Sequence, residues 1–426
     1  MIAATPFSGQ FCKASATPGA DSVASRGSPG RPQDQVLAAE AATAEGNRPA
    51  AQAVPGRSAE PVPVQARTTA AGAARTSTAA APAQDGAAAQ AGGSSDAPQP
   101  ARWQRLLADA VTDPRELCSL LALDPALVLP AIEAAQGYAL RVPRGFVARM
   151  RKGDPHDPLL LQVLPAAAEL LEVPGFGADP VGDLDSRAAP GLLHKYQGRA
   201  LLVATGACAV HCRYCFRRHF PYAQESASQH GWRPALEKLR TDTRVNELIL
   251  SGGDPWSLSD RRLRQLTDAL RELPHVRRLR VHTRYPIVLP ERVDDGLLDW
   301  LAGVPLQKVV VVHANHENEI DGSVREACAR LAAVGVTLLN QTVLLAGVND
   351  SADALARLSE ALFAARVLPY YLHVLDKVRG AAHFDVAESR AIELHRELAA
   401  RLPGYLVPKL VREVAGANAK TPVGAR

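Results

Sequence analysis

From Ala200 onward the chain alternates short β-rich runs with helical segments, and few folds accept that order. The runs are ALLVAT, ELILSGG, RLRVHTR, KVVVVHA, TLLNQTVLL and PYYLHVL. Between them lie RPALEKLRTDT, SDRRLRQLTDALREL, DDGLLDWLAGV, SVREACARLAAVG and SADALARLSEALFAARV, with apolar residues at helical spacing. A repeated strand–helix–strand order predicts parallel strands joined by right-handed crossovers. An open doubly wound sheet and a partial (βα)6 barrel both satisfy it. Polar residues stand just past the runs: Thr205, Ser251, His282, His313, Gln341 and Asp376. A barrel builds its site from the C-terminal ends of its strands, so this placement favours an α/β fold of the barrel type.

The rest of the chain divides around that core. Residues 1–100 hold 29 Ala and only two aromatics, Phe7 and Phe11, with seven basic and seven acidic side chains. Such a segment has too little to bury to offset the entropy of ordering, and a disordered Ala/Pro/Gly/Ser-rich tail is expected. A targeting peptide is the alternative, which the acidic residues disfavour. At Trp103 the pattern turns helical, with breaks at Asp113-Pro114 and Asp124-Pro125. The expected organisation is a tail (1–100), a helical and loop-rich segment (101–195), the barrel (196–400) and a C-terminal strand with a lysine loop (401–426). No apolar run reaches about 18 residues, so no membrane span is expected. The N-terminus lacks a basic flank followed by an apolar run, and six Cys in 426 residues are too sparse for a disulfide scaffold. A net charge of +4 gives little reason to expect a nucleic-acid partner. These readings together fit a cytoplasmic enzyme.

The sharpest local feature is CAVHCRYCF, which sets Cys208, Cys212 and Cys215 in a C-x3-C-x2-C loop directly after the first strand. Three thiolates can hold three irons of a [4Fe–4S] cluster and leave the fourth open, whereas electron-transfer clusters normally use four Cys. The alternative is a zinc site with His211 or His219 as fourth ligand. Arg213, Arg217 and Arg218 crowd the loop and are expected to favour thiolates. Cys12, Cys118 and Cys328 lie outside the pattern.

Set after the first strand of a (βα) series, with Phe216 behind the third Cys, this spacing resembles the radical S-adenosylmethionine (SAM) superfamily. The resemblance implies that the open iron chelates SAM and that an electron from the cluster splits its sulfonium. Ser251, Gly252, Gly253 and Asp254 then resemble the superfamily motif that receives the methionyl amine. Near the C-terminus, GANAKTP presents Lys420 on a small-residue loop. Together with GLLHKYQGRALLV, CAVHCRYCFRRHFPY, SGGDP, TLLNQTVLL and PYYLHVLDK, it resembles the lysine 2,3-aminomutase family from about residue 103 to 422. In that family a lysine just before Thr-Pro holds pyridoxal 5′-phosphate (PLP) covalently.

The resemblance implies further roles, residue by residue. Arg199 binds the PLP phosphate, with Lys195 as a second candidate. Arg217 pairs with the substrate carboxylate, for which a guanidinium fork is well shaped. Asp376 and Glu413 receive the ε-ammonium of L-lysine, and His313 and Gln341 lie around SAM. The chain departs from the free-lysine enzymes of the family: Glu413 stands where they have Asp, GANA replaces a glycine-rich loop, and it ends six residues after Lys420. These departures match the shorter branch that makes (R)-β-lysine for attachment to elongation factor P. The implied links are to that factor and its ligase, and to an electron donor that the sequence leaves unidentified. The rivals are a free β-lysine producer of lysine catabolism and a non-catalytic zinc or iron–sulfur binding protein.

Overall fold

In the computed structural model, which describes residues 99–227 and 231–424, the six β-rich runs become six parallel strands. They belong to one ten-stranded sheet whose spatial order follows the sequence. The strands are β1 (Arg187–Ala189), β2 (Leu192–Tyr196), β3 (Arg199–Thr205), β4 (Glu247–Gly252), β5 (Arg278–Thr283), β6 (Gln307–Val312), β7 (Thr337–Val343), β8 (Leu368–His373), β9 (Lys409–Arg412) and β10 (Thr421–Pro422). Strands β3 to β9 run parallel, so the C-terminal strand β9 extends the series by one. Antiparallel β1–β2–β3 pairing closes one end and the β9–β10 pair the other. The sheet is strongly curled, because residues of β2 and β3 line one cavity with residues of β8 and with Glu413 just after β9. The partial-barrel expectation therefore holds.

Local sequence explains the connections. The helices Asp295–Gly303, Gly322–Ala333 and Ala352–Ala364 each begin at a side chain that accepts a backbone N–H: Asp294, Asp321 and Ser351. Such caps satisfy donors that the first turn leaves without partners. Both Asp-Pro breaks turn out to be helix starts, with Asp113 and Asp124 capping and Pro at the first position. The helix Glu388–Arg401, which covers β8 and β9 before the chain re-enters the sheet, was not among the segments read from the sequence. Side chains alternate across each strand. On β3 the residues Arg199 and Leu201 face inward; the matching set is Ile249 and Ser251 on β4, Arg280 and His282 on β5, Gln341 on β7, and Tyr371 and His373 on β8. Among the described residues no helix is long and apolar enough to cross a membrane. The expected tail, with Cys12, lies outside the described residues.

Candidate active site

The barrel interior holds one cavity in two joined chambers. The first is lined by Lys195, Tyr196, Arg199, Tyr371, Glu413 and Lys420, the second by the cysteine loop, Ser251–Asp254 and Arg284. Phe216, Arg217, Ser251, His282, His313, Gln341, His373 and Asp376 border both. The sequence therefore brought together residues separated by more than two hundred positions.

Cys208, Cys212 and Cys215 stand on the loop after β3 and carry no disulfide. The zinc alternative finds no support here, since neither His211 nor His219 lines the chamber that the three cysteines line. His211 points its Nδ1 at the Ala139 carbonyl, 2.9 Å away, and His219 its Nε2 at the Arg379 carbonyl, 3.2 Å away. Among the described residues no three His, Cys, Asp or Glu side chains converge on a single ion. The thiols fit a cluster, whose irons each take one sulfur. The expectation that neighbouring arginines favour thiolates holds for Arg217, whose charge pulls the Cys215 thiol down, but burial outweighs it. Arg213 forks onto Glu169 at 2.8 and 2.6 Å, Arg218 donates to the same carboxylate at 2.7 Å, and Arg217 is held by Asp183. Their charges are already matched. Burial accordingly pushes the Cys215 thiol up to about 11 and Cys208 well above its ordinary value, with neighbouring acids adding to the effect. Iron would have to displace those protons. The cation that does touch the loop is Arg284, whose Nη1 donates to Cys212 Sγ at 2.8 Å.

The glycine motif works differently from a simple ligand cradle. Gly252 adopts φ +114°, and a Cβ there would stand 2.8 Å from the Thr205 carbonyl; one on Gly253 would stand 2.5 Å from the Ala207 carbonyl. The glycines let β4 close against the start of the cysteine loop. Asp254 lines the second chamber, and its two oxygens accept the backbone N–H groups of Trp256 and Arg284. Burial raises its carboxyl to about 6. The open polar atoms lie elsewhere. His282 Nε2, His313 Nε2, His373 Nε2 and Gln341 Oε1 are buried without a hydrogen-bond partner. Burial holds His313 down to about 4 and His282 and His373 well below the usual imidazole value, so they stand neutral. Buried polar groups are normally satisfied, and four orphans around one space fit a polar ligand such as SAM.

The first chamber is a chain of charges. Lys420 precedes β10, whose Thr421 pairs with Arg412 of β9 and so sets the lysine opposite Glu413. Its Nζ donates to Glu413 Oε2 at 2.9 Å and lies 5.6 Å from the centre of the Tyr371 ring. Tyr196 donates its hydroxyl to the other oxygen of Glu413. Burial pushes Glu413 up, but Lys420, the Tyr196 hydroxyl and Lys195 outweigh it and leave the carboxyl below its ordinary value. Lys195 donates to the Val181 carbonyl and sits 2.7 Å from Asp183 Oδ1, so it is less available for a phosphate than the sequence suggested. Arg199 has only the Tyr196 ring beneath it, 4.4 Å away, and no carboxylate among the described residues pairs with it. Its open guanidinium fits a phosphate. Arg217, which lines both chambers, gives its Nε to Asp183 Oδ2 at 2.6 Å and its Nη1 to Ser251 Oγ at 3.0 Å, which leaves Nη2 without a protein partner. Asp376 has no hydrogen-bond donor of its own, and burial, with Glu413 nearby, raises it to about 7 against the pull of Lys420.

Sequence reasoning missed Asp183, Tyr196, Arg284 and His373. Arg284 directly follows a strand, and His373 shares the inward parity of Tyr371; both signals were available. Asp183 sits in an irregular loop, and only the fold shows that it ties Arg217 to Lys195.

No family model matches the chain. It is 52% identical over 322 residues to an L-lysine 2,3-aminomutase of Escherichia coli (strain K12), covering 75% of this chain and 94% of that protein. The Haemophilus influenzae protein of the same name is 46% identical over 319 residues, with coverages of 75% and 94%. The Clostridium subterminale one is 33% identical over 324 residues, with coverages of 76% and 77%. Among solved structures, a radical SAM methyltransferase from Sphaerobacter thermophilus aligns with a TM-score of 0.39 and 20% identity, over 52% of this chain and 68% of that one. With relatives this similar over most of their length, and with the cysteine loop, the Lys420 hairpin and the charged chamber meeting in one barrel, the chain belongs to the L-lysine 2,3-aminomutase family, radical SAM isomerases that use a [4Fe–4S] cluster, SAM and PLP.

Proposed function

We propose that the protein converts L-lysine to (R)-β-lysine, moving the amino group from C2 to C3, and that the product serves the modification of elongation factor P. One observation carries the substrate reading. Lys420, itself an alkylammonium, rests on Glu413 while Asp376 stands open beside it. The chamber is thus shaped and charged for the end group of a lysine. Once Lys420 is committed to PLP, Glu413 and Asp376 are left to hold the substrate's ε-ammonium. A shorter or uncharged side chain would leave Asp376 without a partner, which sets selectivity.

When bound, the cofactors supply a carbon radical from SAM and a conjugated electron sink for the substrate amine. The chain's own residues place the two chemistries. Cys208, Cys212 and Cys215 would hold the irons, and His282, His313, His373 and Gln341 would supply the neutral polar wall around SAM. Lys420 would anchor PLP, with Arg199 on its phosphate. Arg217, braced by Asp183 and Ser251, would hold the substrate carboxylate at the border of the two chambers. Phe216 borders both chambers beside it.

The elongation factor P reading is supported by the departures from the free-lysine enzymes, Glu413 in place of Asp and GANA in place of a glycine-rich loop. Anaerobic incubation with L-lysine, SAM and a one-electron reductant should yield (R)-β-lysine on chiral analysis; recovery of unchanged L-lysine by a cluster-loaded, PLP-loaded protein would refute the activity. Deleting the gene should remove the β-lysyl mass from elongation factor P. A modified factor in the deletion strain would instead favour a catabolic fate for the product.

A further inference from the structure

Arg284 follows β5 directly and is buried beneath the cysteine loop. Its Nη1 donates to Cys212 Sγ at 2.8 Å, and its Nη2 to Glu319 Oε2 at 2.9 Å and Gln162 Oε1 at 2.7 Å. Its backbone N–H donates to Asp254 at 2.7 Å, and the Phe146 and Tyr214 rings flank its guanidinium. Glu319 is fixed in turn, its Oε1 accepting the N–H groups of Asn315 and His316 and the amide of Gln162. The guanidinium therefore has one position.

The loop's sulfurs are not treated alike. Cys212 receives from Arg284 a hydrogen bond that carries a full positive charge. Hydrogen bonds to ligand sulfurs are among the factors that set an iron–sulfur potential. Taking one electron from a low-potential reductant, a [4Fe–4S] cluster passes from the 2+ to the 1+ state, and the added negative charge spreads onto its sulfurs. A cation at one of those sulfurs stabilises the reduced state.

We propose that Arg284, positioned by Glu319 and Gln162, raises the reduction potential of the cluster through its N–H···S contact with Cys212. The residue acts through the cluster ligand Cys212, so it is a positioning and tuning residue. The inference rests on the cluster reading above; failure of that reading would show first, as absence of iron in the unmodified protein.

The test compares the full chain with Arg284→Lys and with the double variant Arg284→Gln/Glu319→Gln. The double change removes both members of a buried pair and so avoids stranding one charge. Each protein is reconstituted anaerobically, its iron counted, and its cluster titrated against potential by electron paramagnetic resonance. The double variant should keep full iron and show a reduced-to-oxidised ratio about tenfold lower at a given potential, a downward shift of about 59 mV for one electron. Arg284→Lys should fall between, since an ammonium keeps the charge but cannot fork between Glu319 and Cys212. Full iron with an unchanged midpoint in the double variant would overturn the proposal. So would loss of iron from both variants, which would make Arg284 a residue of loop folding alone.

Discussion

The two sides of the barrel mouth handle polar groups in opposite ways. Beneath the cysteine loop, Arg213, Arg218 and Arg284 are buried, and every one has a carboxylate: Glu169 for the first two, Glu319 for the third. Across the cavity, His282, His313, His373 and Gln341 keep buried atoms without partners, and Asp376 has no donor. A satisfied network costs nothing further to keep dry and holds its members in place. An unsatisfied one is tolerated where a ligand completes it. The first region is scaffold for the site and the second is the site, although the scaffold carries more charge.

The largest effects should come from groups that the comparison assigns to cofactors outright. Cys212→Ala should abolish cluster iron and SAM cleavage together, while Cys118→Ala and Cys328→Ala, at residues packed in the core, should leave both intact. Full iron in Cys212→Ala would break the assignment of the loop. Next, Lys420→Ala should remove the phosphopyridoxyl group trapped by borohydride without loss of iron. Lys409, the other lysine beside the C-terminal strand, is exposed on β9 and does not line the cavity; a label found there would move the anchor to the wrong side of the sheet.

How far the sequence carried depends on whether a feature is local. The parallel strand series and the position of the cysteine loop after its first strand follow from neighbouring residues, and both stand where periodicity and motif put them. Pairing between distant segments did not follow. The arginines next to Cys212 in sequence are neutralised by Glu169 and Asp183, whereas the one that reaches its sulfur comes from 72 positions away. Adjacency in a list of residues says nothing about which carboxylate a long side chain will find. Nor does the sequence motif around Asp254 show that the fold brings the Trp256 and Arg284 backbone N–H groups to its two oxygens.

Asp376 tests the open region directly. Removing one partner of a buried ion pair costs about 3–5 kcal/mol. With Glu413 still present the loss should be softer, roughly a hundredfold in kcat/KM for L-lysine at about 1.4 kcal/mol per tenfold. Because burial raises the carboxyl to about 7 in the free protein, it is protonated and neutral below that pH and cannot hold an ammonium. The profile of kcat/KM, which reports groups of the free enzyme, should therefore rise through pH 7, and Asp376→Asn should lack that limb. Iron and PLP content should not change. Equal lysine kinetics in the two proteins would place the ε-ammonium elsewhere.

The smallest effect separates two uses of one carboxylate. Glu413 is shared by the Lys420 ammonium and the Tyr196 hydroxyl, with Lys195 at 3.8 Å, so it belongs partly to the satisfied region and partly to the open one. Lys420 reacts with PLP as a free amine, and a carboxylate that holds it as an ammonium opposes that step. Substrate binding needs the reverse, a carboxylate left free once Lys420 has reacted. Glu413→Gln should then act in two directions: kcat/KM for L-lysine falls by about tenfold, one buried acid of the pair having lost its charge, while PLP loading followed by borohydride trapping proceeds at least as fast as in the unmodified protein. Slower loading with unaltered lysine kinetics would reverse the assignment, making Glu413 an aid to Lys420 and leaving Asp376 alone at the ε-ammonium.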